Sequence, residues 1–436
     1  MARIQKSDAA SGLSKRDAMR TWLRPIPVGA VGRASGVMFV AMGARGVIVA
    51  TYLVLMTRWL GAMEYGRFAG AASMVLVLAP AAGWGAALLL QRRIAQRTAD
   101  ESETWRTALV QVAVVGCALS LLALTLGYFL SAPVGLKPLL LLAAAELVAL
   151  PIALLAASAL QVKDRPVLTG VTVCVIPAMR LIALLPLLLL SIAPSLERLV
   201  TVHLTASVAG AVAALVIVRR TTGLTLVGRA SATSMWAEGT PYAVGAVLGL
   251  AHLELDKLLI FWLVGADELG SYAAAFRVAA ITTIPVAALS SVLLPRLMAS
   301  GPFVQARLGH AALLAAVASG LGASAVLAIC AQWASDVFGA GFEASSRLIL
   351  AFIPWVFLYS IRLLLCNFMT GVGLQLARIK VELVGLIVLC VSVMPLVAGV
   401  GVSGAAWALA LAEMSVILGA CVGLCRHSTR MAASDV

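Results

Sequence analysis

The sequence predicts an all-α integral membrane protein of about twelve transmembrane helices, in two six-helix bundles related by a parallel internal repeat. Three observations lead there. The 436 residues are 62% hydrophobic and only 12% charged, with a mean hydropathy of +1.03; soluble domains carry about a quarter charged residues, so composition excludes one. Twelve stretches reach the ~20 apolar residues that a helix needs to cross a bilayer core. A turn sequence also recurs from Leu60 to Val264, LGAMEYGRFAGAA against VGADELGSYAAAF.

A basic arm, residues 1–33, carries Lys15, Arg16, Arg20 and Arg24 and no cleavage site for a leader. It reads as a topology signal, with contact to anionic headgroups of membrane lipids as the alternative. Spans are expected at 34–56, 69–90, 107–130, 138–160, 169–192 and 201–218, forming an N-terminal bundle over 34–218. A cytoplasmic linker, 219–239, follows. Spans at 241–264, 272–294, 311–331, 348–370, 380–399 and 402–424 form a C-terminal bundle over 240–424, and 425–436 is a cytoplasmic tail. The charge bias agrees with this count: the outward connections carry only Arg58, Arg67, Lys137, Arg198 and Arg347, whereas each inward segment carries two to six Lys or Arg, with Arg33 counted at the edge of the first span. Positive charge stays inside, so both termini are expected in the cytoplasm.

Gly61, Ala62, Glu64, Gly66, Ala69 and Ala71 recur as Gly265, Ala266, Glu268, Gly270, Ala273 and Ala275. Further on, Leu89, Leu90 and Arg92 recur as Leu293, Leu294 and Arg296. Six spans separate the copies, an even number, so the halves share one orientation. Glycine suits a tight turn, and the small residues after it let helices approach closely.

The net charge of +13 is distributed between spans instead of on a soluble face, so no nucleic-acid partner is expected. Seven cysteines lack metal-ligand spacing and read as apolar fillers. Walker loop, HExxH and acidic metal cluster are all missing, so neither an enzyme nor a cofactor is expected.

The two turns, the acidic residue ahead of LLIFWLVG in the seventh span, and the stretch Asp256–Met298 resemble the bacterial polysaccharide exporters of the multidrug/oligosaccharidyl-lipid/polysaccharide superfamily. Arg58–Ala95, ending in LLLQRRIA, is similar to that family's other signature. The resemblance implies a flippase that moves an undecaprenyl-diphosphate-linked oligosaccharide repeat from the cytoplasmic to the periplasmic leaflet of the bacterial inner membrane by alternating access. It implies a polyprenyl-diphosphate-linked sugar as substrate and polysaccharide polymerase machinery as partner; the oligomeric state stays open. Related peptidoglycan-precursor flippases carry two further helices, for which this chain has no room. The alternatives are a multidrug/cation antiporter of the same superfamily, expected to have an acidic cavity, and a membrane-embedded glycan polymerase or ligase, expected to have a large outward loop.

An anionic headgroup needs fixed cations in a water-filled cleft, and a charge at mid-membrane costs at least about 2.5–3.5 kcal/mol, so intramembrane cations are the candidates. These are Arg45, Arg180, Lys257, Arg277 and Arg362. For Arg180 and Arg362 the alternative is a structural ion pair; Arg277 can snorkel outward. The acids within spans are Glu254, Asp256, Glu146 and Glu413, so the cleft is expected to be mildly basic. Glu254 and Lys257 lie three apart and can pair on one helix face, while Asp256 points away. Asp256 and Glu254 are the candidates for coupling to a proton or sodium gradient; the alternative for Asp256 is a bond to a neighbouring helix. His203 and His252, near span ends, read as structural.

Overall fold

The computed structural model describes residues 28–96, 100–130, 134–226, 228, 230, 233–287, 289–290, 302–339 and 341–434. Among them every regular element is a helix. Helix α1 is Val28–Leu76, broken once at Gly61 into two legs. A one-turn helix, Ala79–Ala82, and α2, Ala86–Gln96, complete the second span. Then come α3 (Glu101–Phe129), α4 (Leu136–Val162), α5 (Pro166–Leu189), α6 (Leu196–Thr222), α7 (Thr233–Val264) and α8 (Ala266–Thr282). The chain closes with α9 (Pro302–Ala331), α10 (Ser345–Gly371), α11 (Gln375–Val400) and α12 (Ser403–Ser434).

Nine helical runs among the described residues are long and apolar enough to cross a membrane, Gly36–Leu76 counting as one. The shortfall from twelve has local causes. The second span is interrupted at 77–85, where Trp84 takes φ 40° and Gly85 φ 73°. Helix α7 carries Glu238, Glu254, Asp256 and Lys257, and α8 is only 17 residues long. The basic arm falls outside the described residues up to position 27, as do Leu293, Leu294 and Arg296 of the predicted repeat. Helices α6 and α7 extend into the predicted linker, leaving 223–232 between them, and α12 continues through most of the predicted tail.

Helix ends follow from local chemistry. Asp100 caps α3 by accepting from the Ser102 amide at 3.0 Å, and Glu101 and Glu103 in its first turn complement the helix dipole. Helix α6 closes on Gly223 at φ 73°, with Arg219 and Arg220 in its last turn.

The repeated turn is repeated in conformation as well as in sequence. Gly61 (φ 74°, ψ 171°) and Gly265 (φ 93°, ψ −175°) share a backbone geometry that side-chain-bearing residues rarely adopt. The two turns also pack against each other reciprocally. A Cβ added to Gly66 would lie 1.6 Å from the Ala266 carbonyl oxygen, and one on Gly270 would lie 2.1 Å from that of Ala62. Each half therefore supplies one glycine and one alanine carbonyl to the seam.

Around this seam one apolar core runs through both halves, at the end of the molecule predicted to face outward. Leu60, Tyr65 and Phe68 of α1 belong to it, together with Tyr272 and Phe276 of α8, and Phe338 and Phe342 of the connection after α9. Arg58 strengthens the seal, donating to the carbonyls of Val337 and Asp336 at 2.7 Å each. Toward the other end α2 and the turn before it touch α7: Trp84 Nε1 donates to the Trp236 carbonyl at 3.2 Å, and Arg93 pairs with Glu238 at 3.1 Å.

Candidate functional site

Beneath this seam lies a cavity of about 380 Å³, lined by α1, α4, α5, α6, α7 and α8. From Met56 to Arg45 it extends along α1 for about 16 Å by helical rise. Four of the five predicted cleft cations line it: Arg45, Arg180, Lys257 and Arg277. The lining acid is Glu146. Counted from the ends of their helices nearest the seam, Glu146, Arg180, Lys257 and Arg277 sit about 10–17 Å deep, well inside a ~30 Å hydrocarbon core.

Two prolines help to build this site. Pro151 has no N–H to bond the Leu147 carbonyl four residues back. Helix α4 responds with a π-helical segment, Ala144–Ala149, that contains Glu146. The Leu147 carbonyl points at Gly116 of α3, where an added Cβ would lie 2.2 Å from its oxygen. Pro177, one turn before Arg180 in α5, lines the cavity itself.

Glu146 is the hub of the first half. Its carboxylate lies 2.9 Å from Arg180 and 2.8 Å from His203 Nε2, while Tyr52 lies 3.0 Å from His203 Nδ1. A neutral imidazole satisfies this arrangement in one way: Nε2–H donates to Glu146, and Nδ1 accepts the Tyr52 hydroxyl. Arg180 also donates through Nε to Ser207 at 2.9 Å. Arg45 differs, since no carboxylate among the described residues lies within ion-pair distance of it.

In the second half Lys257 is almost fully committed. It bonds the Leu253 carbonyl, lies 3.2 Å from Asp256 and 3.6 Å from Glu254, and sits 3.5 Å above the Phe276 ring. The expected Glu254–Lys257 pair forms, and Arg277 (3.7 Å) and the Ser73 hydroxyl (3.1 Å) join Glu254 as well. Asp256 bonds a neighbouring helix, accepting from the Tyr272 hydroxyl at 2.6 Å, yet it also meets Lys257, which the sequence placed on another face. Arg277 keeps 38% of its side chain accessible and faces the cavity, so it does not snorkel outward.

Arg362 is elsewhere. It is buried in the second half, bonded to Glu413, 3.9 Å from Glu382 and 5.2 Å from the Tyr359 ring. Its position corrects the expectation of a cleft cation: two carboxylates already hold it, and it is absent from the cavity wall. With Glu413 committed there too, the cavity is more basic than the sequence tally suggested. His252 packs against Gly385 of α11, on the Arg362 side. The sequence did not identify Tyr52 or Tyr65 as cavity residues and gave His203 only a structural role. The available signal was an acid, an arginine and a histidine within three consecutive spans.

The model of the polysaccharide biosynthesis protein family matches residues 31–300, more than half of the chain. The chain belongs to that family. No curated protein matches it in sequence. Its fold is similar to an inward-facing multidrug resistance MATE family transporter of the MOP superfamily, at TM-score 0.71 and 13% identity over 88% of this chain and 95% of that one. It is similar to the lipid II flippase MurJ in an inward closed conformation, at TM-score 0.70 and 12% identity over 89% and 87%. An outward-facing MATE transporter matches at TM-score 0.67 and 13% identity over 94% and 97%. The chain is thus a multi-pass membrane protein with the fold of the superfamily's transporters and flippases.

Proposed function

We propose that this protein flips a polyprenyl-diphosphate-linked oligosaccharide from the cytoplasmic to the periplasmic leaflet of a bacterial inner membrane by alternating access, for surface polysaccharide assembly. The observation that carries the reading is the mid-membrane cavity walled by three guanidinium groups and an ammonium, with Glu146 as the lining carboxylate. Guanidinium pairs phosphate in a planar, two-pronged geometry and keeps its charge in a dry site. A diphosphate between Arg45, Arg180 and Arg277 would meet cations from both halves, so closing the halves around it would be driven by binding. The family's link to polysaccharide biosynthesis supports the choice of cargo. Both termini are taken as cytoplasmic from the charge bias, and a polysaccharide polymerase as the downstream partner. A cation antiporter of the same fold would need an acidic cavity, and this basic one weighs against it.

Reconstitution tests the reading. Purified protein in liposomes should move a fluorescent short-chain polyprenyl-diphosphate sugar between leaflets. Arg45→Ala is the cleanest variant, because it leaves no buried carboxylate without a partner. Losing one bond to a charged group costs about 1.5–3 kcal/mol, so transport should slow by roughly tenfold to a hundredfold. Equal translocation in empty and protein-loaded liposomes would sink the proposal.

A further inference from the structure

Glu146 occupies an odd position for a site meant to hold an anion. It is buried, lines the same cavity as four cations, and its carboxylate is ion-paired with Arg180, one of the groups that the cargo needs. An acid placed for support alone would sit behind the arginine, as Glu382 and Glu413 sit beside Arg362 away from the cavity. Instead Glu146 offers the arginine, from within the cavity, the same chemical group that a phosphate would offer: two oxygens sharing one negative charge.

Resting on the reading of this cavity as a diphosphate site, we propose that Glu146 is an internal competitor for Arg180, which an incoming phosphorylated headgroup displaces, and that the displaced carboxylate takes up one proton. Displacement leaves Glu146 in a low-dielectric wall with its main counter-ion engaged elsewhere. An unpaired buried carboxylate is costly and is neutralised by protonation when water has access. The step is a plain transfer: hydronium in the cavity water gives its proton to a Glu146 oxygen, water remains, and no covalent bond to the cargo changes. His203 favours it. Its Nε2–H remains bonded to one carboxylate oxygen while the other gains the proton, and Tyr52 pins the tautomer through Nδ1.

The titratable and charged groups that share the cavity with Glu146 are Arg45, Tyr52 and Tyr65 from α1, Arg180 from α5, His203 from α6, Lys257 from α7 and Arg277 from α8; α3 packs Gly116 against the adjoining Leu147 carbonyl. All the permanent charges in that set are positive, so Glu146 has counter-charges to itself until a second anion shares them. Reciprocity follows: if anion binding draws in a proton, a proton strengthens anion binding by the same factor. Cargo loading would then be coupled to pH through the first half of the molecule, not through Asp256.

Isothermal calorimetry on the whole protein in detergent tests this with farnesyl-diphosphate-N-acetylglucosamine, a diphosphate diester whose charges do not titrate between about pH 5 and 8. In two buffers of different ionisation enthalpy, the wild type should take up close to one proton per ligand at neutral pH. Its affinity should weaken by up to about tenfold per unit of rising pH. Glu146→Gln should bind without proton uptake and with a flat pH profile, at least as tightly as wild type at the acid end. Binding by wild type with no proton uptake, or a Glu146→Gln profile that keeps the wild-type slope, overturns the competitor role while leaving the diphosphate site standing. Failure of both proteins to bind at any pH overturns the site itself and the proposed function with it. Should the variant not fold, the wild-type proton count decides alone.

Discussion

Gly66→Ala is the sharpest test of the seam between the halves. The added methyl would lie 1.6 Å from the Ala266 carbonyl oxygen, 2.6 Å from its carbon and 2.9 Å from the Gly270 nitrogen. All three are backbone atoms in helix α8, so no side-chain rotation relieves the clash. Restoring an ordinary carbon–oxygen contact requires the helices to part by about 1.7 Å, since close carbon–oxygen contacts lie near 3.3 Å. Ordinary overpacking costs 1–3 kcal/mol, and a displacement of packed backbone belongs at or above the upper end, about 3 kcal/mol. At 1.4 kcal/mol per tenfold, the sealed state would lose more than about a hundredfold in population relative to any state in which the turns are apart. The assay is labelling of a cysteine at Ser271, buried in the seam, by a membrane-impermeant maleimide applied from outside to a cysteine-free background. Labelling of the Gly66→Ala protein should rise steeply. Gly83→Ala is the control: nothing lies within 4 Å of its added methyl, and its φ of −76° is ordinary. Unchanged Ser271→Cys labelling and an unchanged melting temperature in Gly66→Ala would refute the claim that this contact seals the outer end.

Other expectations concern the buried charges. Arg362→Ala strands Glu413 without its counter-ion, while Glu382 keeps Arg378 at 3.0 Å; it should cost about 3–5 kcal/mol, seen as a large drop in melting temperature in detergent. Diphosphate affinity per folded molecule should stay constant, and an affinity loss as great as that of Arg45→Ala would put Arg362 back in the cleft. Gly116→Ala pushes on the Leu147 carbonyl and hence on the segment bearing Glu146; about 1–3 kcal/mol of local strain should slow transport by roughly fivefold to a hundredfold, read in the same liposomes. Tyr272→Phe removes one bond to a buried carboxylate and should destabilise by about 1–3 kcal/mol in thermal unfolding. Asp256→Asn should keep the wild-type response of transport to a proton gradient, since Lys257 and Tyr272 already engage that carboxylate; loss of the response would return the coupling role to Asp256.

What could be read from the sequence divides along a physical line. The spans, the two turns and the intramembrane cations depend on local composition and spacing, and the structure brings Arg45, Arg180, Lys257 and Arg277 to one cavity. What each cation is paired with depends on neighbouring helices, and one sequence does not state helix neighbours. Arg180 and Arg362 show the difference, both being arginines deep within a span. Arg362 meets acids on α11 and α12 and is buried among them, whereas Arg180 meets one acid and keeps the cavity. Glu146 was harder still. Its direction depends on a π-helical segment that shifts helical phase, so regular periodicity misplaces it. The break at 77–85 also escaped, because Pro80 falls in the first turn of a short helix and the interruption follows at Trp84 and Gly85.

The seam has a bearing on where such a chain came from. A contact made twice, with glycine and carbonyl exchanged between partners, has the form of an isologous interface, the kind that two identical subunits make across a two-fold axis. Gly66 with Ala266 and Gly270 with Ala62 keep that form inside one polypeptide. A homodimer of six-helix subunits, later fused tail to head, would leave this trace, and it would free each copy to specialise. The first half keeps Arg45 and Arg180 beside the cavity, whereas the second shares Lys257 and Arg277 with it and buries Arg362 between two acids. Fusion requires only a tether, so two fragments cut within 223–232 and expressed together should reassemble.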